Sequence, residues 1–305
     1  MSAHDVAVRV KHLTKTHGSV TALDDVSFTV EPGRLVGLLG HNGAGKSTLL
    51  QILTAQSFET AGEVEVFGEH PFENAGVLSR TFLVKENQRY PEHFRVRHVL
   101  DAAELMCPSW DHDLAESLLA DFEVPPRRSV SKLSRGMLSS LGVTVGLASR
   151  APLTMFDEPN LGLDAMARQR FYEVLLSDFA EHPRTIILSS HLIDEVADLF
   201  DDVLLLDRGR LVADESAEAL RGRAVTVTGP AVTVDRFVAR HQVLRRQQLG
   251  NTARVSVLAS FDRAETADAE RQGLSLEPLS LQELVVQTSS RRRAEERTAG
   301  EGVAR

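Results

Sequence analysis

The chain has 305 residues, 42% of them hydrophobic, which is enough for one large or two smaller globular domains with a buried core. Its net charge of −9 argues against a protein that binds nucleic acid by neutralising phosphates, and neither a signal peptide nor a run of about 18 apolar residues is visible. A single cysteine, Cys107, excludes disulfide frameworks and multi-cysteine zinc sites and fits a reducing cytosol.

The chain is predicted to begin with strands. The stretches VAVRV, VSFTV and RLVGLL are strand-like, and the turn residues of HGS and EPGR separate them. Another strand candidate, EVEVFG, comes before the loop EHPFENAG. We therefore expect a β-rich N-terminal subdomain.

The stretch GHNGAGKSTLL (40–50) lies between a predicted buried strand, RLVGLLG, and a predicted helix, STLLQILTA. Glycine has no Cβ, so successive backbone N–H groups can point at one anion, and a helix N-terminus favours negative charge. This context predicts a P-loop, whereas the same letters on a surface turn would carry no function. Lys46 is expected to reach the β- and γ-phosphates, and Ser47 to coordinate Mg²⁺. The residues assigned to the nucleotide are Gly40, Asn42, Gly43, Ala44, Gly45, Lys46, Ser47 and Thr48.

The pattern becomes helical from about residue 95 to 149, with RVRHVLDAAELM, DHDLAESLLADFEV and LSSLGVTVGLAS. Part of this block, about 87–135, is predicted to be a helical insertion. Strands and helices then alternate in LTMF, AMARQRFYEVLLSDFAEH, TIILSS, LIDEVADLF and DVLLLD, which the RGR turn closes. This alternation predicts an α/β fold with a mainly parallel sheet that is covered on both faces.

The composition changes after residue 222. The order strand, helix, strand, strand, helix, strand predicts a small α+β appendage of the ferredoxin-like type over 223–290, with SLQELVVQTS as a last helix. The tail RRRAEERTAGEGVAR, over 291–305, is charged and lacks apolar anchors, so we expect it to be disordered. Contact of its arginines with anionic lipid is the alternative.

Two carboxylates end the strand in LTMFDEPN. Such a strand directs Asp157 and Glu158 to the crevice where α/β sheets bind ligands. Next to a P-loop, Asp157 is expected to hold Mg²⁺ and Glu158 to orient and polarise the attacking water; a helix N-cap is the structural alternative. His191 follows the next strand, TIILSS, and is expected to hydrogen-bond the γ-phosphate or that water.

The stretch LSRGM (133–137) comes before these acids in the chain. With the P-loop, the acid pair and LGLD (161–164), it resembles the ATP-binding subunit of an ABC transporter, whose signature is usually written LSGGQ and stands at this interval before the acids. The resemblance implies a P-loop NTPase domain over 1–222. It also implies that Ser134 and Gly136 contact the γ-phosphate. The S-x-G-M form and the closing helix SLQELVVQTS are similar to subunits of ABC-2-type exporters.

Several positions depart from the pattern of this family or match it less closely. Arg135 replaces a glycine and is either a phosphate contact or a solvated arginine. His17, in KTHG, occupies the place of an adenine-stacking tyrosine and is either a weaker stacking ring or a surface histidine. The family has a Q-loop, whose glutamine is a neutral ligand of Mg²⁺ or water, and here it should follow the strand TFLV. Glu86 stands at the position that best matches this glutamine, and Gln88 lies two residues further on. The stretch LGLD resembles the D-loop of the family, and Asp164 then occupies the position that contacts the second subunit.

The resemblance implies an ATPase that binds ATP and Mg²⁺ between two subunits, as a homodimer or with a sister subunit. It further implies a separate membrane permease as partner, no nucleic acid, and a cytoplasmic position at the inner face of the cell membrane. Tyr90, Phe94 and Trp110 would line the groove for the permease or form the insertion core. A soluble ABC-type ATPase of a non-transport complex, or an ATP sensor with little hydrolysis, is the alternative function.

Overall fold

The computed structural model describes residues 6–192, 196, 199–221, 224–279 and 283, which fall into two compact units. The first unit holds the described residues of 1–191 and 199–214, and the second those of 192–198 and 215–305. Most of the helix predicted at 192–200, nearly all of the last helix at 280–289, and the tail at 291–305 lie outside the described residues.

The strands up to residue 216 build two sheets. Their bounds in chain order are β1 (Val8–His17), β2 (Val20–Val30), β3 (Leu35–Leu39), β4 (Ala61–Val66), β5 (Thr81–Val84), β6 (Leu153–Asp157), β7 (Thr185–Ser190), β8 (Asp202–Asp207) and β9 (Arg210–Ser216).

The helices of the same part lie between these strands. Their bounds are α1 (Lys46–Leu53), α2 (Ala75–Leu78), α3 (Val96–Met106), α4 (His112–Asp121), α5 (Arg135–Ala148) and α6 (Ala165–Glu181), with a short 3₁₀ turn at Val130–Lys132.

The larger sheet has the strand order β5-β6-β7-β3-β8-β9, and its neighbours from β5 to β8 run parallel. Every residue of β3, β6 and β7 is buried, as expected for parallel strands that are covered on both faces. This confirms the predicted α/β fold with a mainly parallel sheet. Strand β9 was not predicted; it follows β8 through a turn in which Arg208 and Gly209 have positive φ.

The N-terminal strands form a second, antiparallel sheet in the order β2-β1-β4. Alternate residues of β2 point inward, among them Val26, Phe28 and Val30, and they join the core of the first unit. The β-rich N-terminal subdomain therefore comes from strands of period two, as the sequence pattern indicates.

Helices α3 and α4 pack with α5 around an apolar core of their own, which includes Val96 and Leu141. Tyr90, Phe94 and Trp110 pack against this core, and burial raises the pKa of the Tyr90 phenol. The aromatic side chains thus serve the interior of the helical insertion.

The second unit contains a four-stranded antiparallel sheet in the order β11-β12-β10-β13. Its elements follow each other as β-α-β-β-α-β, the order that the sequence indicates for this segment. Their bounds, after the helix α7 (Ala217–Arg221), are β10 (Ala224–Pro230), α8 (Ala231–Phe237), β11 (Gln242–Leu249), β12 (Thr252–Leu258), α9 (Arg263–Arg271) and β13 (Ser275–Pro278).

The described helices are all either too short or too polar to cross a lipid bilayer.

Candidate active site

The glycine-rich turn after β3 has the backbone that the sequence predicts for a P-loop. Gly40 has a φ of 151° and Gly45 a φ of 107°, values that L side chains rarely adopt. A Cβ at Gly40 would lie 2.3 Å from the carbonyl oxygen of Leu206, and one at Gly45 would lie 2.6 Å from that of Ala22. Glycine is therefore required at both positions by conformation and by space.

Helix α1 begins directly after this turn with a free N-terminus. No side chain caps it, and its first turn contains no acidic residue. Its first N–H groups and the positive end of its dipole therefore favour an anion. Of the residues assigned to the nucleotide, Asn42, Gly43 and Ser47 are exposed, Thr48 is half-buried, and Ala44 is buried.

Lys46 is a buried cation with oxygen neighbours. Its Nζ donates to the carbonyl oxygen of Gly40 at 2.7 Å and to that of His41 at 3.3 Å. It also lies 3.1 Å from Oε1 of Glu158, an ion pair without hydrogen-bond geometry. Because a buried charge is costly unless it is paired, these contacts fix the ammonium at the P-loop.

The acid pair at the end of β6 is linked to β7 by a serine hydroxyl. Ser189 Oγ donates to Oδ1 of Asp157 at 2.8 Å and accepts from the backbone N–H of Glu158 at 2.9 Å. Both acids are buried, and Glu158 has a positive φ of 51°. Parallel pairing of β6 with β7 thus orients both carboxylates.

His191 completes this group at the end of β7. Its Nδ1 lies 2.7 Å from Oε2 of Glu158, so the two oxygens of Glu158 face the His191 ring and the Lys46 ammonium. The structure therefore brings Lys46, Asp157, Glu158 and His191 together at the carboxyl edge of the parallel strands, where α/β sheets bind ligands. A general base, an orienting histidine and a phosphate-binding cation can act together here.

The signature residues lie at the start of α5, where Ser134 is the N-cap and accepts from the N–H of Met137 at 3.2 Å. The side chain of Arg135 faces the predicted Q-loop, with Nη2 3.7 Å from Oε1 of Glu86. Both residues line a cavity of about 320 Å³, as do Gln88 and Glu158. Gln88 accepts a long hydrogen bond from the Lys85 N–H at 3.4 Å.

The remaining predicted residues lie apart from the Lys46, Glu158 and His191 group. Gly136 is close to the D-loop, since a Cβ there would lie 3.1 Å from the carbonyl oxygen of Gly162. Asp164 is exposed and caps α6 by accepting from Ala167 N at 2.8 Å. His17 is exposed at the end of β1, where it pairs with Val20 of β2, and no hydrogen bond or ion pair among the described residues joins its side chain to the P-loop.

Three residues of the site were missed by the sequence reasoning. Ser189 holds the acid pair, and His41 of the P-loop contacts Asp207 at the end of β8. His41 lies inside the motif, and Asp207 ends an apolar strand as Asp157 does, so both positions carried a usable signal. Among the described residues, no three His, Cys, Asp or Glu side chains converge on one metal position.

Comparison with known proteins matches residues 23–161 to the family described as "ABC transporter". The chain is 34% identical over 225 residues to the Nod factor export ATP-binding protein I of Mesorhizobium japonicum, covering 72% of this chain and 66% of that protein. It is 30% identical to the aliphatic sulfonates import ATP-binding protein SsuB 1 of Nocardia farcinica over 82% of this chain and 95% of that protein.

A solved ATP-binding subunit of an ABC transporter superposes with a TM-score of 0.64 and 25% identity, covering 70% of this chain and 92% of that one. This likeness agrees with the P-loop, the acid pair and the parallel sheet described above. The chain belongs to the ABC transporter family as an ATP-binding subunit, and it is a P-loop ATPase.

Proposed function

We propose that this chain binds and hydrolyses ATP to drive export through a separate membrane permease. The observation that carries the proposal is the contact of Glu158 with Lys46 on one oxygen and with His191 on the other. This places a proton acceptor beside the cation that would hold the γ-phosphate.

In the proposed reaction, Glu158 accepts a proton from the water that attacks the γ-phosphorus. His191 donates from Nδ1 to that carboxylate and so orients it, and its Nε2 can accept a hydrogen bond from the attacking water, while Lys46 moves from Glu158 to the phosphate oxygens. The helix N-terminus at α1 and the P-loop N–H groups hold the same phosphates.

Mg²⁺ fits the oxygen donors at this site. Ser47 presents an exposed hydroxyl at the start of α1, and Asp157 presents a buried carboxylate whose orientation Ser189 sets. Hard oxygen ligands suit Mg²⁺, and Mg²⁺ keeps several waters as well as phosphate ligands, so few protein ligands suffice. When bound, the ion would neutralise charge on the phosphates.

The signature is proposed to act on the nucleotide of a second subunit. Ser134, Arg135 and Gly136 open α5, so a second helix N-terminus and a hydroxyl become available to a γ-phosphate. Within its own chain this segment faces Glu86, and no described contact joins it to Lys46. Asp164 is exposed and suited to contact between subunits.

We also propose that His17 stacks on adenine and that Glu86 is the Q-loop residue, with Gln88 as a support of the loop. The Arg135 contact of Glu86 favours this choice, since Gln88 instead accepts from its own loop. Compared with the neutral glutamine of the family, Glu86 adds a negative charge to the Q-loop and would offer a carboxylate to Mg²⁺ or to a water.

The domain division that we propose is 1–222 for the ATPase, with the insertion at about 87–135, and 223–290 for the appendage. A homodimer would have two competent sites, because this chain carries both the P-loop and the signature. The permease would hold the chain at the inner face of the membrane. Export is favoured by the S-x-G-M signature and the similarity to a Nod factor export protein, although an import protein is also similar.

Sedimentation with a non-hydrolysable ATP analogue and Mg²⁺ tests the ATP-joined dimer. Wild-type protein should become dimeric, and Lys46→Ala should stay monomeric under the same conditions. A monomeric wild type at saturating analogue would refute the proposal.

Purification of the intact chain from detergent-solubilised membranes tests whether it is bound to a permease. A polytopic partner supports transport, whereas a purely soluble partner supports the non-transport alternative.

A further inference from the structure

An arginine of the signature and an acid of the Q-loop form an ion pair. Nη2 of Arg135, the first residue of α5, lies 3.7 Å from Oε1 of Glu86, and the two side chains are 70% and 36% exposed. Lys85 and Arg89 line the same cavity, but among the described residues Glu86 forms an ion pair with Arg135 alone. The negative charge of the Q-loop is thus directed at the signature.

The stem of Arg135 is held in place, whereas its guanidinium is free to turn. A Cβ at Gly162 would lie 3.5 Å from Cγ of Arg135, so the stem lies close to the glycine of the D-loop. One turn further along α5, Ser139 Oγ donates to the carbonyl oxygen of Leu161 at 2.9 Å and fixes the same loop on the same face of the helix. A rotation about the outer side-chain torsions can therefore move the guanidinium away from Glu86 without moving α5 or the D-loop.

The ion pair is weak enough for the arginine to change partners. Its separation of 3.7 Å is longer than a hydrogen bond, and an exposed pair of this kind changes an equilibrium by about twofold to fivefold. In contrast, Arg184 and Asp178 are both buried and approach to 2.7 Å, as expected for a structural pair. A phosphate offers a guanidinium several charged oxygens, and such charge-assisted contacts are roughly twice as strong as neutral hydrogen bonds. A triphosphate at the start of α5 would therefore compete successfully with Glu86.

We propose that Arg135 changes partners when two subunits join. In the free chain Glu86 holds the guanidinium, and in the dimer the guanidinium binds the γ-phosphate of the ATP on the P-loop of the second subunit. This inference rests on the proposed ATP-joined dimer; it makes Arg135 a nucleotide contact in trans and Glu86 the residue that positions it. The exchange also frees the carboxylate of Glu86 for its role in the Q-loop, in the cavity that it shares with Glu158.

Sedimentation with a non-hydrolysable ATP analogue and Mg²⁺ measures the dissociation constant of the dimer. Arg135→Ala should raise this constant about tenfold for each shared site, or about a hundredfold for a homodimer, because each site loses a hydrogen bond to a charged group. Arg135→Lys keeps the charge and should lose less. Arg246→Ala removes an exposed arginine that binds Asp235 in the second unit, so it is the matched control and should dimerise as the wild type does.

Glu86→Gln tests the role of the acid in the free chain. This change removes the charge that competes for Arg135, so it should tighten the dimer about twofold to fivefold for each site, relative to its effect in the Arg135→Ala background. Any loss of a Mg²⁺ ligand is common to both backgrounds and cancels in this comparison. The same effect of Glu86→Gln in both backgrounds would overturn the exchange.

Nucleotide binding to the monomer distinguishes a contact in trans from one in cis. At protein concentrations well below the dimer dissociation constant, Arg135→Ala should bind the analogue as tightly as the wild type, since no hydrogen bond or ion pair among the described residues joins Arg135 to Lys46. Weaker binding by the monomeric variant would place the contact in cis and overturn the proposal.

The dimer measurement also separates this inference from the proposed function. A wild type that stays monomeric refutes the ATP-joined dimer and the exchange with it. A wild type that dimerises, together with a folded Arg135→Ala that dimerises equally well, refutes the exchange alone. Thermal unfolding checks that each variant is folded.

Discussion

Replacement of Glu158 by glutamine separates the chemistry of the site from its structure. Glutamine has the shape of glutamate, so its amide oxygen can still face Lys46 at the observed 3.1 Å. Its NH₂ group can donate to Nδ1 of His191, now 2.7 Å from Oε2, once the ring changes tautomer. We therefore expect the folded structure and ATP binding to persist.

The lost property is the ability to accept a proton. A positioned general base contributes about 10²- to 10⁴-fold to a rate, which corresponds to about 3 to 5 kcal/mol of activation free energy. Glu158→Gln should therefore lower kcat for phosphate release by at least about a hundredfold. The change in unfolding free energy should stay within about 1.5 kcal/mol, because the hydrogen bonds are replaced and not removed.

The assay is phosphate release at saturating ATP and Mg²⁺, with nucleotide binding measured separately by equilibrium dialysis. Glu173→Gln changes an exposed carboxylate on α6 to the same amide and should have the wild-type rate. Near-normal hydrolysis by Glu158→Gln would refute the assignment of the base. Loss of both hydrolysis and ATP binding would instead show that the carboxylate is needed to keep Lys46 in place.

Three further predictions concern the P-loop, helix α5 and the cysteine that follows helix α3. Gly40→Ala should abolish nucleotide binding in the same dialysis assay, because its Cβ would lie 2.3 Å from a carbonyl oxygen at a φ of 151°; retained affinity would contradict the close approach. Gly146→Ala should lower stability in urea by about 1 to 2 kcal/mol, since the new Cβ would lie 2.6 Å from the Phe156 ring, and an unchanged midpoint would contradict it. Burial raises the pKa of the Cys107 thiol to about 11, so native protein should resist iodoacetamide at about pH 8 and react in urea; fast reaction of folded protein would contradict it.

Local sequence determined the parts of the site that are contiguous in the chain. The P-loop letters, the strand before them and the helix after them predict a phosphate cradle, and the structure has the required glycine conformations at Gly40 and Gly45. The buried runs that became β3, β6 and β7 predict a parallel sheet, because strands covered on both faces lack polar alternation. The element order of the second unit could also be read locally.

The contacts between motifs could not be read in this way. His41 and Asp207 are 166 positions apart, and Ser189 is 31 positions from Glu158. Only the parallel pairing of β6 with β7 and of β3 with β8 brings their ends to one edge. The same limit explains why the sequence did not decide whether Glu86 or Gln88 is the Q-loop residue. The contact that favours Glu86 comes from Arg135 in α5, which is distant in sequence.

Sequence by itself therefore determined which chemical groups this protein carries and which elements present them, because propensity, period and glycine conformation act over a few residues. Tertiary structure alone decided which of those groups meet. Side-chain distances across a sheet follow from strand order and register, and these are set by the whole core and not by any one motif.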